Sequence, residues 1–267
     1  MKNSAVVLLF LLGAACGGGS ASSTTTSPSP GPTIPVSGAC GALGQTVSAS
    51  TAIVNGVECS TANAPVVLLN MKDSTGLQTG SCSGTVIAPR AILTAAHCLA
   101  PATASIKVFL GTGPELVAQS FAAFPGYKEG DGTTHDVGVV LMTDDIGRTP
   151  VPLLLSRDAR VGENAVLAGW GKDQGGVTAT LRAGVATITA VSSLALQTTF
   201  SATFSSVCQG DSGGPILLSE GGVWAIAGVI SANSTLACSF GDNFYANIRN
   251  AEISGFILGR VPDASRK

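Results

Sequence analysis

The sequence predicts an all-β protein whose strands form a barrel or a sandwich. Only 11% of the 267 residues are charged and 34 are glycine, a composition that favours short strands and tight turns over long helices. From residue 53 onward, short apolar or alternating runs recur, separated by turn residues such as GTGP at 111–114. The predicted strands cover residues 66–69, 84–87, 106–110, 137–142, 165–170, 185–191, 215–218 and 223–230. Residues 53–267 are long enough for one all-β unit or for two small fused barrels.

One amphipathic helix is predicted near the C-terminus, over about residues 248–258. Ile248, Ile253, Phe256 and Ile257 would lie roughly on one face of this helix and could pack against the strands.

The N-terminal residues are typical of an exported protein. Lys2 precedes an apolar run at 5–15 that is too short to span a bilayer as a helix, so residues 1–16 are interpreted as a signal peptide. Residues 17–37 are rich in Gly, Ser, Thr and Pro and predict a flexible tether, because they offer little apolar surface to bury.

Cys16 lies where the signal meets the tether. The string LLGAAC resembles the lipobox of bacterial lipoproteins, in which the cysteine is lipidated, although Leu12 stands four positions before Cys16 rather than three. Removing Cys16 from the seven cysteines leaves an even set, as disulfides in an exported chain require. Lipidation at Cys16 would attach the protein to the membrane. The alternative is cleavage near Ala15 and ordinary secretion.

The charge pattern excludes two classes of partner. The net charge is −2 and there are no runs of Lys or Arg, so neither nucleic acid nor an anionic membrane surface is an expected partner.

The segment GDSGGP at 210–215 carries the strongest chemical signal. A serine between glycines can serve a turn alone. The spacing of Gly210, Ser212 and Gly214 also satisfies the nucleophile elbow of α/β-hydrolases, but that arrangement needs a histidine after the serine, and the sequence has none there. The elbow is therefore excluded, and Ser212 stays a candidate nucleophile.

Both histidines, His97 and His135, precede Ser212. An activated serine needs a histidine as general base, and the histidine needs a carboxylate that fixes its tautomer. Asp136, at the start of an apolar strand, gives the order His97, Asp136, Ser212. The other order, with Asp73 first, would require a parallel sheet with crossover helices, whose patterns are missing.

Four strings in this order resemble the trypsin/chymotrypsin family of serine endopeptidases: LTAAHC at 93–98, HDVGVVLM at 135–142, GWG at 169–171 and CQGDSGGP at 208–215. The resemblance implies two packed six-stranded antiparallel β-barrels and a C-terminal helix, with the active site between the barrels. It also implies the catalytic triad Ser212, His97 and Asp136, and an oxyanion hole made by the backbone N–H groups of Gly210 and Ser212. His135 would be a non-catalytic neighbour.

The resemblance also bears on the cysteines. It implies the disulfides Cys82–Cys98 and Cys208–Cys238, and it leaves Cys40 and Cys59 to pair with each other. The group Cys82, His97, Cys98 fits no standard zinc spacing, and the segment between His97 and Asp136 lacks the acidic cluster of calcium-binding relatives. We therefore expect neither a metal nor a cofactor.

Substrate preference is inferred from the positions that would form the specificity pocket. The resemblance places Ser206 at its base and Ser231 among the substrate-binding residues, and counting from Ser231 places Asn233 on one wall. Counting back from Tyr245 places Asn243 on the other wall. Side chains there would shorten the pocket and favour small or medium apolar residues. A shift of one residue would instead put Asp242 in the wall and favour basic residues.

The string STAIVNG at 50–56 is interpreted as an activation site. In the resembled family a zymogen is cut before Ile-Val-x-Gly, which makes residues 38–52 a propeptide and 53–267 the protease domain. The new amine of Ile53 would then pair with Asp211. Ala52 before the cut favours an activator that prefers small residues, and the enzyme itself is one candidate.

Two functions remain open from the sequence. The first is a secreted or lipid-anchored, monomeric endopeptidase that acts on proteins or peptides. The second is a non-catalytic protease homologue that serves as a binding module.

Overall fold

The computed structural model describes residues 34–49, 54–100, 102–128, 135–173, 175–176, 178–201, 203–235 and 237–267. The predicted signal peptide and Cys16 therefore lie outside the described residues, and so do Ala52 and Ile53 at the predicted cleavage site.

Antiparallel strands make up most of the described chain. The strands are β1 (Val47–Ala49), β2 (Val57–Cys59), β3 (Val66–Lys72), β4 (Gln78–Ala88), β5 (Ala91–Thr94), β6 (Ser105–Phe109), β7 (Leu116–Ala123), β8 (Gly138–Met142), β9 (Asn164–Gly169), β10 (Arg182–Val191), β11 (Ala195–Thr199), β12 (Pro215–Glu220), β13 (Val223–Asn233) and β14 (Asp242–Asn247). The helices are two 3₁₀-helices, Val36–Leu43 and His97–Leu99, and one α-helix, α1 (Ala251–Arg260).

The first barrel closes in the order β3-β4-β5-β8-β7-β6. Its interior consists of aliphatic side chains such as Leu69, Ile92, Ile106 and Val140, each 0% exposed. Closure leaves no free strand edge, so every strand is paired on both sides.

The second barrel contains β9, β10, β11, β14, β13 and β12, and the pairings of β9 with both β10 and β12 close it. The short strands β1 and β2 extend this sheet from β10. The predicted fold class, two six-stranded antiparallel barrels with a C-terminal helix, is confirmed.

Helix α1 begins later than the sequence predicts. The side chain of Asn250 accepts hydrogen bonds from the N–H groups of Glu252 and Ile253, which makes Asn250 the N-cap. Ile248, expected on the helix face, instead lies buried before the cap. Within the described residues, no helix combines the length and the apolar character needed to cross a bilayer.

Part of the predicted propeptide packs against the protease domain. In the 3₁₀-helix Val36–Leu43, Ala39 and Cys40 are 0% exposed, and Leu43 is 4% exposed. A disulfide joins Cys40 to Cys59, and β1 pairs with β2. The leader is thus held by packing, by a disulfide and by strand pairing.

Candidate active site

His97 and Asp136 are brought together by the pairing of β5 with β8, in which Thr94 is opposite Gly138. The 3₁₀-helix after β5 carries His97, and Asp136 lies two residues before β8. His97 Nδ1 lies 2.7 Å from Asp136 Oδ2, and the His97 backbone N–H donates to Asp136 Oδ1 at 2.9 Å. Asp136 is 1% exposed, whereas 30% of the His97 side chain is exposed. A buried carboxylate therefore orients a partly open imidazole.

Ser231, on β13 of the second barrel, also binds this carboxylate. Its hydroxyl donates to Asp136 Oδ2 at 2.5 Å. The sequence placed Ser231 among substrate-binding residues, and it does line the pocket described below. Its side chain, however, is committed to Asp136, so both barrels fix the position of the carboxylate.

Ser212 lies in the loop before β12. The residue after it, Gly213, adopts a backbone conformation that favours glycine. Gly213 has φ +82°, and a Cβ there would lie 2.1 Å from Thr94 Oγ1 and 2.3 Å from the carbonyl oxygen of Ser83. This close approach explains the Ser-Gly-Gly motif, because the loop that carries Ser212 packs directly on the end of β5.

The disulfide between Cys82 and Cys98 lies between His97 and Ser212. Cys98 Sγ is 3.7 Å from His97 Nε2 and 3.8 Å from the carbonyl oxygen of Ser212. Among the hydrogen bonds of the described residues, none joins His97 Nε2 to Ser212 Oγ. Such bonds are often long in the absence of substrate and tighten when it binds.

The same disulfide determines whether the residues around it could bind a metal ion. Cys82, His97 and Cys98 offer ligand atoms within 4.8 Å of one another. Zinc is held by thiolates, and both sulfur atoms are consumed in the disulfide. This group is therefore not a zinc site.

Gly210 is in the left-handed region, with φ +97°, and a Cβ there would lie 2.9 Å from Gly171 Cα. Within the described part of the chain, the N–H groups of Gly210 and Ser212 donate to no protein acceptor. Both remain available to a ligand, which is the property expected of oxyanion-hole donors.

Ser83, on β4 of the first barrel, binds both ends of this loop. Its hydroxyl donates to the carbonyl oxygen of Gly210 at 2.9 Å, and its N–H donates to that of Ser212 at 2.8 Å. The hydroxyl also accepts from the Trp170 N–H at 2.9 Å.

Asp211 is buried beneath the loop, at 1% exposed. Its two carboxylate oxygens accept the N–H groups of Gly171 and Cys208, each at 2.8 Å. Burial raises the pKa of Asp211 to about 6, while these two hydrogen bonds and the charge of Arg182 oppose the rise. Its proposed partner Ile53 lies outside the described residues. The next residue, Val54, accepts a hydrogen bond from the N–H of Ser206 at 3.2 Å.

A pocket of about 170 Å³ opens beside Ser212. It is lined by Val207, Cys208, Gln209, Ser212, Ile230, Ser231, Ala232, Asn233, Thr235 and Cys238. Two of these lining residues, Cys208 and Cys238, form a disulfide.

Below this pocket, three of the predicted residues bind one another. Asn243 Oδ1 accepts from Ser206 Oγ at 3.0 Å and from Asn233 Nδ2 at 2.8 Å. Ser206 and Asn243 are 0% exposed and do not line the open pocket. Asp242, the alternative wall residue, instead accepts from Thr199 Oγ1 at 2.6 Å.

Comparison with known proteins agrees with this geometry. The family profile described as Trypsin matches residues 53–252. The chain belongs to the trypsin family. It is 31% identical to granzyme M of Homo sapiens over 150 residues, which are 52% of this chain and 57% of that protein, a little over half its length. It is 28% identical to trypsin beta of Drosophila erecta over 207 residues, 68% of this chain and 79% of that one.

Among solved structures, HL collagenase superposes with a TM-score of 0.66 at 20% identity, covering 79% of this chain and 99% of that chain. At this identity the likeness concerns the fold alone.

In this member of the trypsin family, two residues that contact the site have no motif of their own. Ser83 carries no signal beyond its position after Cys82. Arg182 is a single cation before the apolar run 183–186, and no local pattern indicates its partners. His135 points elsewhere: it stacks on Phe124 with ring centroids 4.6 Å apart, and its Nε2 lies 2.9 Å from Glu252 Oε2.

Proposed function

We propose that this chain is an active serine endopeptidase that cleaves peptide bonds through an acyl-enzyme. Ser212 Oγ attacks the scissile carbonyl carbon and gives its proton to His97 Nε2. The C–N bond then breaks, and His97 returns the proton to the leaving amine. Water, deprotonated by the same nitrogen, releases the acid and regenerates Ser212.

One observation carries this proposal: the buried Asp136 carboxylate accepts hydrogen bonds from His97 and from Ser231. A carboxylate bound to Nδ1–H fixes the tautomer in which Nε2 is free to act as a base. The unpaired N–H groups of Gly210 and Ser212 support a role as the oxyanion hole. Losing one such donor typically costs about 3 kcal/mol of transition-state stabilisation.

For specificity, we propose cleavage after small or medium apolar residues. The side chains of Asn233 and Asn243, bound to each other and to Ser206, close the space below the pocket. They carry no charge. A basic substrate side chain would therefore find no counter-ion there, and its burial would be unfavourable.

For regulation, we propose that the chain is exported as a zymogen and cut after Ala52. The Ile53 ammonium would then pair with Asp211, whose burial otherwise disfavours its charge. The Cys40–Cys59 disulfide would keep the leader attached, and a lipid on Cys16 would keep the enzyme at the outer face of a membrane. Cleavage near Ala15 would instead give a secreted enzyme.

Labelling with an active-site-directed fluorophosphonate tests the activity. Processed protein should react, and the Ser212→Ala variant should not. If no labelling depends on Ser212, the chain is a binding module rather than an enzyme. A peptide library then reads the specificity, and a strong preference for Arg or Lys would contradict the pocket assignment.

A further inference from the structure

Arg182 is a fully buried cation that the proposed catalytic steps do not use. It is the first residue of β10, where it is paired in register with Glu58 of β2 on one side and Gly169 of β9 on the other. It is 0% exposed. Because a guanidinium keeps its charge in proteins, its position must be explained by the groups around it.

Those groups come from two segments near the site. Arg182 Nη1 donates to the carbonyl oxygen of Gly171 at 2.9 Å. Nη2 donates to Asp173 Oδ2 at 3.2 Å and lies 3.9 Å from Glu58 Oε1. The Arg182 guanidinium thus contacts two carboxylates and one backbone carbonyl. Glu58 belongs to the strand that follows the predicted cleavage site by a few residues.

Gly171 links this cluster to Asp211. Its carbonyl oxygen binds Arg182, and its own N–H donates to Asp211 Oδ1 at 2.8 Å. The next N–H, of Lys172, donates to the carbonyl oxygen of Gln209 at 2.9 Å. The segment Gly171–Lys172 therefore lies between Arg182 and the loop that carries Gly210 and Ser212.

Gly171, Asp211 and Gly210 are packed closely against one another. A Cβ on Gly171 would lie 2.5 Å from Asp211 Cγ, and one on Gly210 would lie 2.9 Å from Gly171 Cα. A shift of the Gly171 backbone would therefore be transmitted to the peptide groups at 209–211. Oxyanion-hole donors lose much of their effect when they are displaced by a fraction of an ångström.

We propose that Arg182 is a positioning residue: by holding Gly171 against Asp211, it keeps the loop at 209–212 in the geometry that binds the oxyanion. This inference rests on the proposed peptidase function. On this inference, the geometry of the oxyanion hole depends on the buried guanidinium of Arg182 as well as on the ammonium of Ile53.

The test compares Arg182→Met and Arg182→Lys with the wild type, all fully processed. Arg157→Met is the matched control, because Arg157 is another arginine with little exposure, 16% for its side chain, and it pairs with the carboxylates of Glu163 and Glu220 in the loop before β9 and on β12. None of the described contacts of Arg157 reaches Gly171 or Asp211. We expect Arg182→Met to lower kcat for a small peptide ester about tenfold or more with KM within about twofold. Arg157→Met should lower the melting temperature and leave kcat unchanged.

Arg182→Lys keeps the charge but cannot bind Gly171 and Asp173 with one planar fork, so its kcat should lie between the other two. This variant carries the test if Arg182→Met does not fold. An unchanged kcat in both Arg182 variants, or a rise in KM alone, would overturn the inference.

Hydrogen exchange separates this inference from the proposed function. In the Ser212→Ala background, Arg182→Met should speed exchange of the hydrogen-bonded amides of Gly171, Lys172, Cys208 and Asp211, and Arg157→Met should not. This readout needs no catalysis, so it decides the inference even if the wild type proves inactive. Equal exchange in the two variants would overturn it.

Discussion

The hydroxyl of Ser83 in the first barrel donates a hydrogen bond of 2.9 Å to the carbonyl oxygen of Gly210 in the second. The same hydroxyl accepts from the N–H of Trp170, and Ser83 is 0% exposed. One buried side chain therefore satisfies the buried backbone N–H of Trp170 and the partly buried carbonyl of Gly210, which belongs to the proposed oxyanion loop.

Replacing Ser83 by Ala should lower kcat about ten- to a hundredfold with little change in KM. The variant leaves the buried N–H of Trp170 unpaired, at a cost of about 1–3 kcal/mol, and removes the hydrogen bond that holds the Gly210 carbonyl, so the loop is free to move. Steady-state kinetics on a small peptide ester measures the effect.

Ser81→Ala is the matched control for this experiment. Ser81 lies on the same strand two residues earlier, and its hydroxyl donates to Asn70 Oδ1, away from the nucleophile loop. Its kinetics should equal those of the wild type. Equal kcat values for the Ser83 and Ser81 variants would show that Gly210 does not depend on Ser83.

Replacing Asn243 by Gly should widen the substrate range towards larger apolar residues. Removing this side chain opens the space above Ser206, so the ratio of kcat/KM for Leu to that for Ala should rise about tenfold or more. The variant should also be less stable by about 1–3 kcal/mol, because Ser206 and Asn233 lose a buried partner.

Asp242→Asn is the companion variant that tests the other pocket assignment. Asp242 binds Thr199 rather than the pocket network, so its replacement should leave the substrate preference unchanged. Loss of cleavage after Arg or Lys in this variant would instead place Asp242 in the pocket wall.

The leader should stay attached to the processed enzyme only while Cys40 and Cys59 are bonded. In the wild type, a non-reducing gel should show one band, and a reducing gel should release the leader fragment. In the Cys40→Ala, Cys59→Ala double variant, the fragment should separate from the processed domain on gel filtration, because only the packing of the short 3₁₀-helix and the β1–β2 strand pair would then hold it. Co-elution of the fragment would mean that packing alone retains it.

The stability of the cut and the uncut chain should diverge as the pH rises. In the continuous chain, burial raises the pKa of Asp211 from 3.8 to about 6. A raised pKa stabilises the folded state below pH 4, and this stabilisation is lost as the pH rises through about 6. The loss amounts to about 3 kcal/mol from the two-unit shift. In the cut chain, the Ile53 ammonium would pair with the ionised Asp211 and offset this loss.

The measurement is urea unfolding at pH 4, 5, 6 and 7 in the Ser212→Ala background, which prevents self-processing. Ala52→Lys allows limited trypsin digestion to produce the cut form. The difference in unfolding free energy, cut minus uncut, should grow between pH 4 and 7. Parallel pH profiles would argue against the Ile53–Asp211 pair.

The sequence predicted some strands well and others not at all. Every predicted strand overlaps an observed one, because runs such as 66–69 and 225–230, within the predicted run 223–230, are buried on both faces and are almost wholly apolar. Strands β1, β2, β5, β7, β11 and β14 were not predicted. The first three have only three or four residues each. Strands β7, β11 and β14 mix apolar residues with Gln, Thr and Asn, and their strand conformation depends on pairing with neighbours distant in sequence.

The sequence by itself determined the residue types that the proposed chemistry needs and their order: His97, Asp136 and Ser212, with glycines where the backbone must approach closely. Such motifs are local, and each needs only a few neighbouring residues. The pairing of the six cysteines followed only from the family resemblance, because the partners are 16 to 30 residues apart and the fold brings them together.

Only the tertiary structure decided which groups hold the site in place. Ser83 and Gly210 are 127 residues apart in sequence, and Ser231 and Asp136 are 95 apart. A hydrogen bond between two barrels depends on how the barrels pack, which no local pattern encodes. A buried arginine before an apolar run likewise acquires its partners only when three strands and a loop meet around it.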